Sequence, residues 1–198
     1  MIGHVRRPSL LELKPDWLAM KALARISFNA LGDDGLLRAV GNAIEQECGV
    51  KVIGAHEVLG GILTREGALG TVAPDSEAQR DITRGIAVAR ALGLVDVGQS
   101  VIIQQELVLG VEAIEGTDAL ITRCADLRRE GAGGVLVKLA KPQQDDRFDL
   151  PAVGCTTVKK AAESGLRGIA LEAGRSILID RDQVKQLADE AGIFVVGI

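Results

Sequence analysis

Apolar residues return at helical spacing twice in the first fifty positions. Trp17, Met20, Leu23 and Ile26 follow Pro15 and Asp16, residue types suited to a first helical turn, and predict a helix that fades near Asn29. Asp33 and Asp34 open a second helix, with Leu36, Leu37, Val40 and Ile44 on one face and Gly49 as its stop. The apolar run over 50–53 then reads as a buried strand. Over 60–74 the pattern lapses into a turn-rich stretch with four glycines, Gly60, Gly61, Gly67 and Gly70. We expect a domain boundary near Val72, dividing a remainder of an amino-terminal domain, 1–72, from a carboxyl-terminal catalytic domain, 73–198.

Asp75 and Ser76 begin a long amphipathic helix with Ile82, Ile86 and Ala89 on one face, ending at Leu92 with Gly93 as its cap. Residues 95–114 are rich in Val, Ile and Leu with glutamines between, which predicts successive strands, and Thr117 or Asp118 can cap the helix that follows. Further strands are predicted over 135–139, 168–171, 177–179 and 193–196, with helices over 156–164 and 182–191. Strands alternating with helices make this an α/β protein, and some connections are too short for a parallel crossover, so the sheet should be mixed.

Composition narrows the function. The 47% of hydrophobic residues in 198 suffice for a core. A net charge of -4 and a pI near 5.3 supply no basic field to draw the chain onto nucleic acid, and 2% aromatic residues leave no platforms on which bases could stack. Cys48, Cys124 and Cys155 are widely spaced, with no Cys-x-x-Cys, which fits a reducing compartment; Cys155 reads as a small filler beside a helix start. With His4 and His56 as the only histidines, both read as structural or surface groups, an imidazole-rich metal site cannot form, so a metal would be held by oxygens. No apolar run reaches the ~18 to 20 residues of a spanning helix, and there is no secretory leader pattern, so we expect a cytoplasmic chain. The basic pair Arg6-Arg7 and then Pro8, with no strand ahead of them, suggest a sequence that starts in mid-domain.

Neither a Gly-x-Gly-x-x-Gly nor a Gly-x4-Gly-Lys-Ser/Thr loop is present, which removes the dinucleotide and P-loop readings. Polar residues gather instead at strand ends. Gln104, Gln105 and Glu106 close one strand, as a solvated face or a ligand contact. Glu115-Gly116-Thr117-Asp118 forms a helix start able to cap itself or to receive a phosphate on free N–H groups. The densest cluster runs from Lys138 to Pro151, after a buried strand, where ligands bind in open α/β sheets. Asp145, Asp146 and Asp149 put three carboxylates within five residues, which repel unless a cation or proton neutralises them, and Lys141 and Arg147 add charges for phosphoryl oxygens. This suits Mg²⁺ and a diphosphate, or else an exposed charged turn. Glu172-Ala173-Gly174-Arg175-Ser176 reads as a hairpin turn by default, or as a turn aiming Arg175 into the same cleft.

The blocks 98–104, 111–118, Lys141-Pro142 with Gln144-Asp145 and 147–151, and 170–174, in that order, resemble the LpxI-type UDP-2,3-diacylglucosamine pyrophosphatases. The likeness continues through Arg6-Arg7-Pro8, Gly32-Asp33-Asp34 and 54–59, and by this resemblance we expect the start of the family's amino-terminal domain to lie ahead of Met1. The resemblance implies a two-domain α/β fold and Mg²⁺-dependent cleavage of UDP-2,3-diacylglucosamine to UMP and 2,3-diacylglucosamine 1-phosphate in lipid A synthesis. It makes Asp145 the essential acid, with Asp145 and Asp149 as metal ligands. Gln104, Glu115, Thr117, Asp118, Lys141, Gln144, Arg147, Glu172 and Arg175 become the substrate contacts. The expected partners are the UDP-linked diacylated glucosamine, the inner membrane by peripheral contact and a second copy in a homodimer, with no nucleic acid. The other reading is a truncated, inactive lipid-binding or assembly module of the same fold.

Overall fold

A computed structural model describes residues 33–198. The helix expected over 15–29, the Arg6-Arg7-Pro8 block and His4 lie outside the described residues. The chain separates into two compact units, Met1–Leu59 with Gln144–Asp149, and Gly60–Gln143 with Leu150–Ile198.

In the first unit, helix α1 (Asp33–Cys48) stops at Gly49, whose φ of +65 is a conformation that glycine adopts without a Cβ penalty. The strand expected over 50–53 does not form. Val50 and Ile53 are exposed, and the Val52 N–H goes to the Glu45 carboxylate at 2.9 Å rather than to a neighbouring strand. A one-turn helix, α2 (Ala55–Val58), follows, closed by Glu57, whose side chain accepts the Gly54 N–H at 2.9 Å.

The second unit is built on a six-stranded sheet. Its elements are β1 (Gly67–Ala68), α3 (Ser76–Leu94), β2 (Ser100–Gln104), β3 (Leu107–Val111), α4 (Thr117–Cys124) and β4 (Val135–Lys138). There follow β5 (Ala152–Val153), α5 (Cys155–Glu163), β6 (Gly168–Leu171), β7 (Ile177–Leu178), α6 (Arg181–Ala191) and β8 (Phe194–Gly197). The strand order is β1-β8-β6-β4-β2-β3, with β4, β6 and β8 parallel and β1 and β2 running against their neighbours; β5 and β7 pair apart from it.

The sheet is mixed because β2 and β3 are joined by Gln105 and Glu106 alone, at φ of 55 and 62. Such a turn needs external support when neither residue is glycine. Asp81, buried on α3, supplies it by accepting the Glu106 N–H at 2.6 Å and the Gln105 N–H at 3.3 Å. The hairpin expected over 172–176 is absent, since β6 and β7 belong to different sheets. That turn is held instead by the segment before β1, with Gly174 N donating to Thr64 O at 2.9 Å and Thr64 N to Ser176 O at 2.8 Å.

Alternating side chains divide the core between the two faces. Ile102, Leu136, Ile169 and Val195 pack with α4, α5 and α6. Val101, Ile103, Val135 and Val137 pack with Ala78, Ile82 and Ala89 of α3. These interior strands are buried on both faces and so read as unbroken apolar runs.

Register aligns one rim of the sheet. Ser100 at the start of β2 lies opposite Lys138 at the end of β4, Lys138 opposite Leu171 at the end of β6, and Leu171 opposite Gly197 at the end of β8. Among the described residues no helix is long and apolar enough to cross a membrane.

Candidate active site

The carboxyl rim of the second unit carries ionisable groups where the core would otherwise continue. Lys138 and Glu112 are each only 6% exposed. Lys138 Nζ donates to Thr117 Oγ1 at 2.7 Å, and the Thr117 hydroxyl donates to Glu112 Oε1 at 2.7 Å. The Ser100 hydroxyl stands 3.3 Å from that of Thr117, and Glu112 Oε2 accepts the Gln99 N–H at 3.3 Å. A buried cation and a buried anion are thus joined through one hydroxyl. Desolvating two such charges costs several kcal/mol, roughly, before their attraction is counted, so a buried pair of this kind is weak evidence for stability alone. Helix α4 begins at this hub, capped by Gly116 rather than by Thr117 or Asp118, which leaves the Thr117 side chain free for the relay.

Of the residues nominated from sequence, Thr117 is the centre of this network. Asp118 stands beside it, paired with Lys160 at 3.1 Å and accepting from Thr157 at 3.3 Å. Glu172 follows β6 and accepts the Ala140 N–H at 2.8 Å, which ties the ends of β4 and β6 together. Arg175 lies half-buried in the next turn. Lys141 is paired with Asp96 at 2.7 Å. Glu115 is held by Arg123 at 3.0 Å; a bond from its own backbone and then the Arg123 guanidinium keep its carboxyl below the usual range. Gln104 is at the opposite end of β2 from Ser100. Its amide is spent on a reciprocal pair with the Arg129 backbone, 2.9 Å each way, so it holds the 125–130 segment to the sheet.

Asp145, Gln144, Arg147 and Asp149 belong to the first unit, where their loop packs with α1. Asp145 accepts from the Arg147 guanidinium at 2.8 and 3.0 Å and from the Arg147 N–H at 3.1 Å. That guanidinium is the main reason its carboxyl sits below the ordinary aspartate range; burial opposes the shift. Arg147 reaches on to Glu45 at 3.2 Å and to Asn42 at 3.4 Å, and lies 5.0 Å over the Phe148 ring. Gln144, which is buried, donates to Asp149 Oδ2 at 2.7 Å. One α1 face, with Gly41, Asn42 and Glu45, therefore fixes the loop. A side chain at Gly41 would collide with the Phe148 ring.

We expect Gly41→Ala to lower turnover by about ten- to a hundredfold, because a displacement of roughly an ångström at a reacting group costs that much. Helix propensity favours Ala by about 1 kcal/mol and overpacking opposes it by about 1–3 kcal/mol, so the melting temperature should move little. Turnover equal to the parent's would show that the loop does not depend on Phe148. His56 also lies in this unit, with Nδ1 buried and unpartnered; a Cβ at Gly54 would meet both this imidazole and the Asp146 carbonyl.

Mg²⁺ calls for oxygen donors, keeps several waters, and is commonly held by one or two carboxylates together with substrate phosphates. Asp145 and Asp149 are of that kind. Among the described residues no three His, Cys, Asp or Glu side chains converge, so these two carboxylates would need oxygens from substrate and water to complete a Mg²⁺ shell.

The sequence signals for Lys138, Glu112 and Ser100 were a lysine closing the apolar run 135–138, a glutamate after β3, and a serine opening β2. Reading along the chain does not reveal that the register sets them side by side.

A mixed sheet with a charged carboxyl rim in one unit and an acidic loop in the other define a two-unit α/β protein. The chain belongs to the LpxI family: residues 1–62 match the LpxI N-terminal domain and residues 65–196 the LpxI C-terminal domain. It is 44% identical over 203 aligned residues to the UDP-2,3-diacylglucosamine pyrophosphatase LpxI of Caulobacter vibrioides, a match covering 99% of this chain and 72% of that relative.

Proposed function

We propose that this chain hydrolyses the diphosphate of UDP-2,3-diacylglucosamine, releasing UMP and 2,3-diacylglucosamine 1-phosphate for lipid A biosynthesis. The identity to the Caulobacter enzyme across nearly the whole chain carries this reading. Asp145 and Asp149 would hold Mg²⁺, which when bound neutralises charge on the diphosphate oxygens and positions the attacking water. A carboxyl pushed below its ordinary range is a weak base. That favours a metal-holding or charge-bearing Asp145 over one that abstracts a proton. Arg147 keeps the Asp145 carboxylate ionised and oriented, and Gln144 orients that of Asp149 by donating to its Oδ2. Within the second unit, Lys138 and Lys141 carry positive charge of the kind that suits phosphoryl oxygens, and Thr117 fixes the Lys138 ammonium. Asp118, Glu115, Glu172 and Arg175 shape the surrounding rim. Hydrolysis takes place in the cytoplasm, with peripheral contact to the inner membrane that holds the diacylated substrate.

The test is release of UMP from UDP-2,3-diacylglucosamine by the full chain, in Mg²⁺ and in excess chelator. Release in Mg²⁺ alone is expected. Binding of the lipid with no UMP under either condition would replace hydrolysis with the binding-module reading.

A further inference from the structure

Four aliphatic side chains stand in water at the same rim as the Lys138 relay: Leu94 at 69% exposure, Val95 at 68%, Val97 at 46% and Ile114 at 105%. Leu94 ends α3, and Val95 and Val97 lie in the connection to β2; Ile114 lies in the connection from β3 to α4. The two connections touch, because a side chain at Gly98 would strike the Glu112 backbone. Glu112 N also donates to Ser100 O at 2.8 Å, so both loops spring from the strand ends that carry the polar network.

Scattered single aliphatic residues on a surface need no explanation, but several on adjoining loops around a polar site do. Three of their acidic neighbours are ion-paired: Asp96 with Lys141 at 2.7 Å, Glu115 with Arg123 at 3.0 Å and Asp118 with Lys160 at 3.1 Å, while Glu112 is buried. The exposed Arg90 lies one turn before Leu94. A second copy of the chain is a poor occupant, since a stable interface takes about 20–30 residues a side and these are two loop tips.

We propose that the 94–97 and 112–116 loops are the membrane-docking tip of this protein, dipping their aliphatic side chains into a phospholipid surface so that the polar rim faces the headgroups. The inference rests on the reading that the substrate is a diacylated, membrane-held lipid. It specifies which surface makes contact, and shallow insertion at the headgroup and acyl boundary suits a chain that docks without a spanning helix.

The test is sedimentation of the full chain with vesicles of phosphatidylethanolamine and phosphatidylglycerol containing no substrate, for the parent and for a Val95→Asp, Ile114→Asp variant. Circular dichroism and melting should match, since both positions are exposed. The parent should bind, and keep most of its binding at about 1 M salt, where screening shrinks to about 3 Å and apolar insertion survives. The variant should lose about tenfold or more of that binding. It should also lose turnover on substrate in vesicles while keeping it on substrate dispersed in detergent. Equal vesicle binding by parent and variant would overturn the docking tip, as would parent binding that vanishes in salt. Because the vesicles hold no substrate, that result is separable from a chain that fails to hydrolyse anything. Retained binding with no turnover would count against the hydrolase reading alone.

Discussion

Asp145→Ala should lower turnover by about a hundred- to a thousandfold while leaving substrate affinity close to the parent's. A group that acts mainly as charge develops contributes to the transition state rather than to the ground state, and loss of one such electrostatic contact costs about 10²–10³ in kcat. The fold should tolerate the change. Arg147 keeps Glu45 at 3.2 Å and Asn42 at 3.4 Å, and a partly exposed ion pair contributes about 0–1 kcal/mol. Asp145→Asn separates charge from shape: it keeps an acceptor for the Arg147 N–H and loses the negative charge, and it should be nearly as inactive as Asp145→Ala. Asp146→Ala is the control and should remain active. If Asp146→Ala is dead and Asp145→Ala is not, the loop register is wrong. If Asp145→Asn retains most of the activity, Asp145 positions Arg147 and bears no essential charge.

Legibility from sequence followed the range of the forces involved. Helix α3 and strand β6 could be placed closely because their signals are local: an Asp75 cap bonded to Ala78 N at 2.9 Å, and a four-residue apolar run between turns. The strand expected over 50–53 failed because apolar residues predict burial only where a partner exists, and here the polar backbone is met by Glu45. Gln104 misled for a related reason. A polar side chain at the end of a buried strand indicates that something binds it, and the binder is the Arg129 backbone twenty-five residues on. The turn-rich stretch at 60–74 was visible, yet its attachment was not. Thr64 and Leu69 bond to Ser176 and Val195, more than a hundred residues away, so most of that stretch joins the second unit's sheet. The acidic loop was found from its charge density alone, but which elements hold it was beyond sequence. The relay through Thr117 was equally hidden, because strand register is what brings Ser100 and Lys138 together.

The Lys138 relay yields the other large effect. Lys138→Met leaves the Glu112 carboxylate buried with only the Thr117 hydroxyl and the Gln99 N–H to solvate it, and breaking one side of a buried pair costs about 3–5 kcal/mol. Glu112→Gln should cost less, since the neutral amide can still accept the Thr117 hydroxyl and the ammonium keeps Thr117 Oγ1. The informative variant is Lys138→Met with Glu112→Gln together. Both charges are then gone, the uncompensated carboxylate no longer exists, and stability should return to within about 1–2 kcal/mol of the parent, well short of the sum of the single losses. Turnover should not return, because the proposed work of Lys138 is to present positive charge to a phosphoryl oxygen, and no arrangement of neutral groups replaces that. Chemical denaturation and UMP release on all four proteins decide the matter. Recovery of both stability and turnover in the double variant would make the relay a structural filler of the rim. Recovery of stability alone would mark Lys138 as a group retained for function at a cost to the fold.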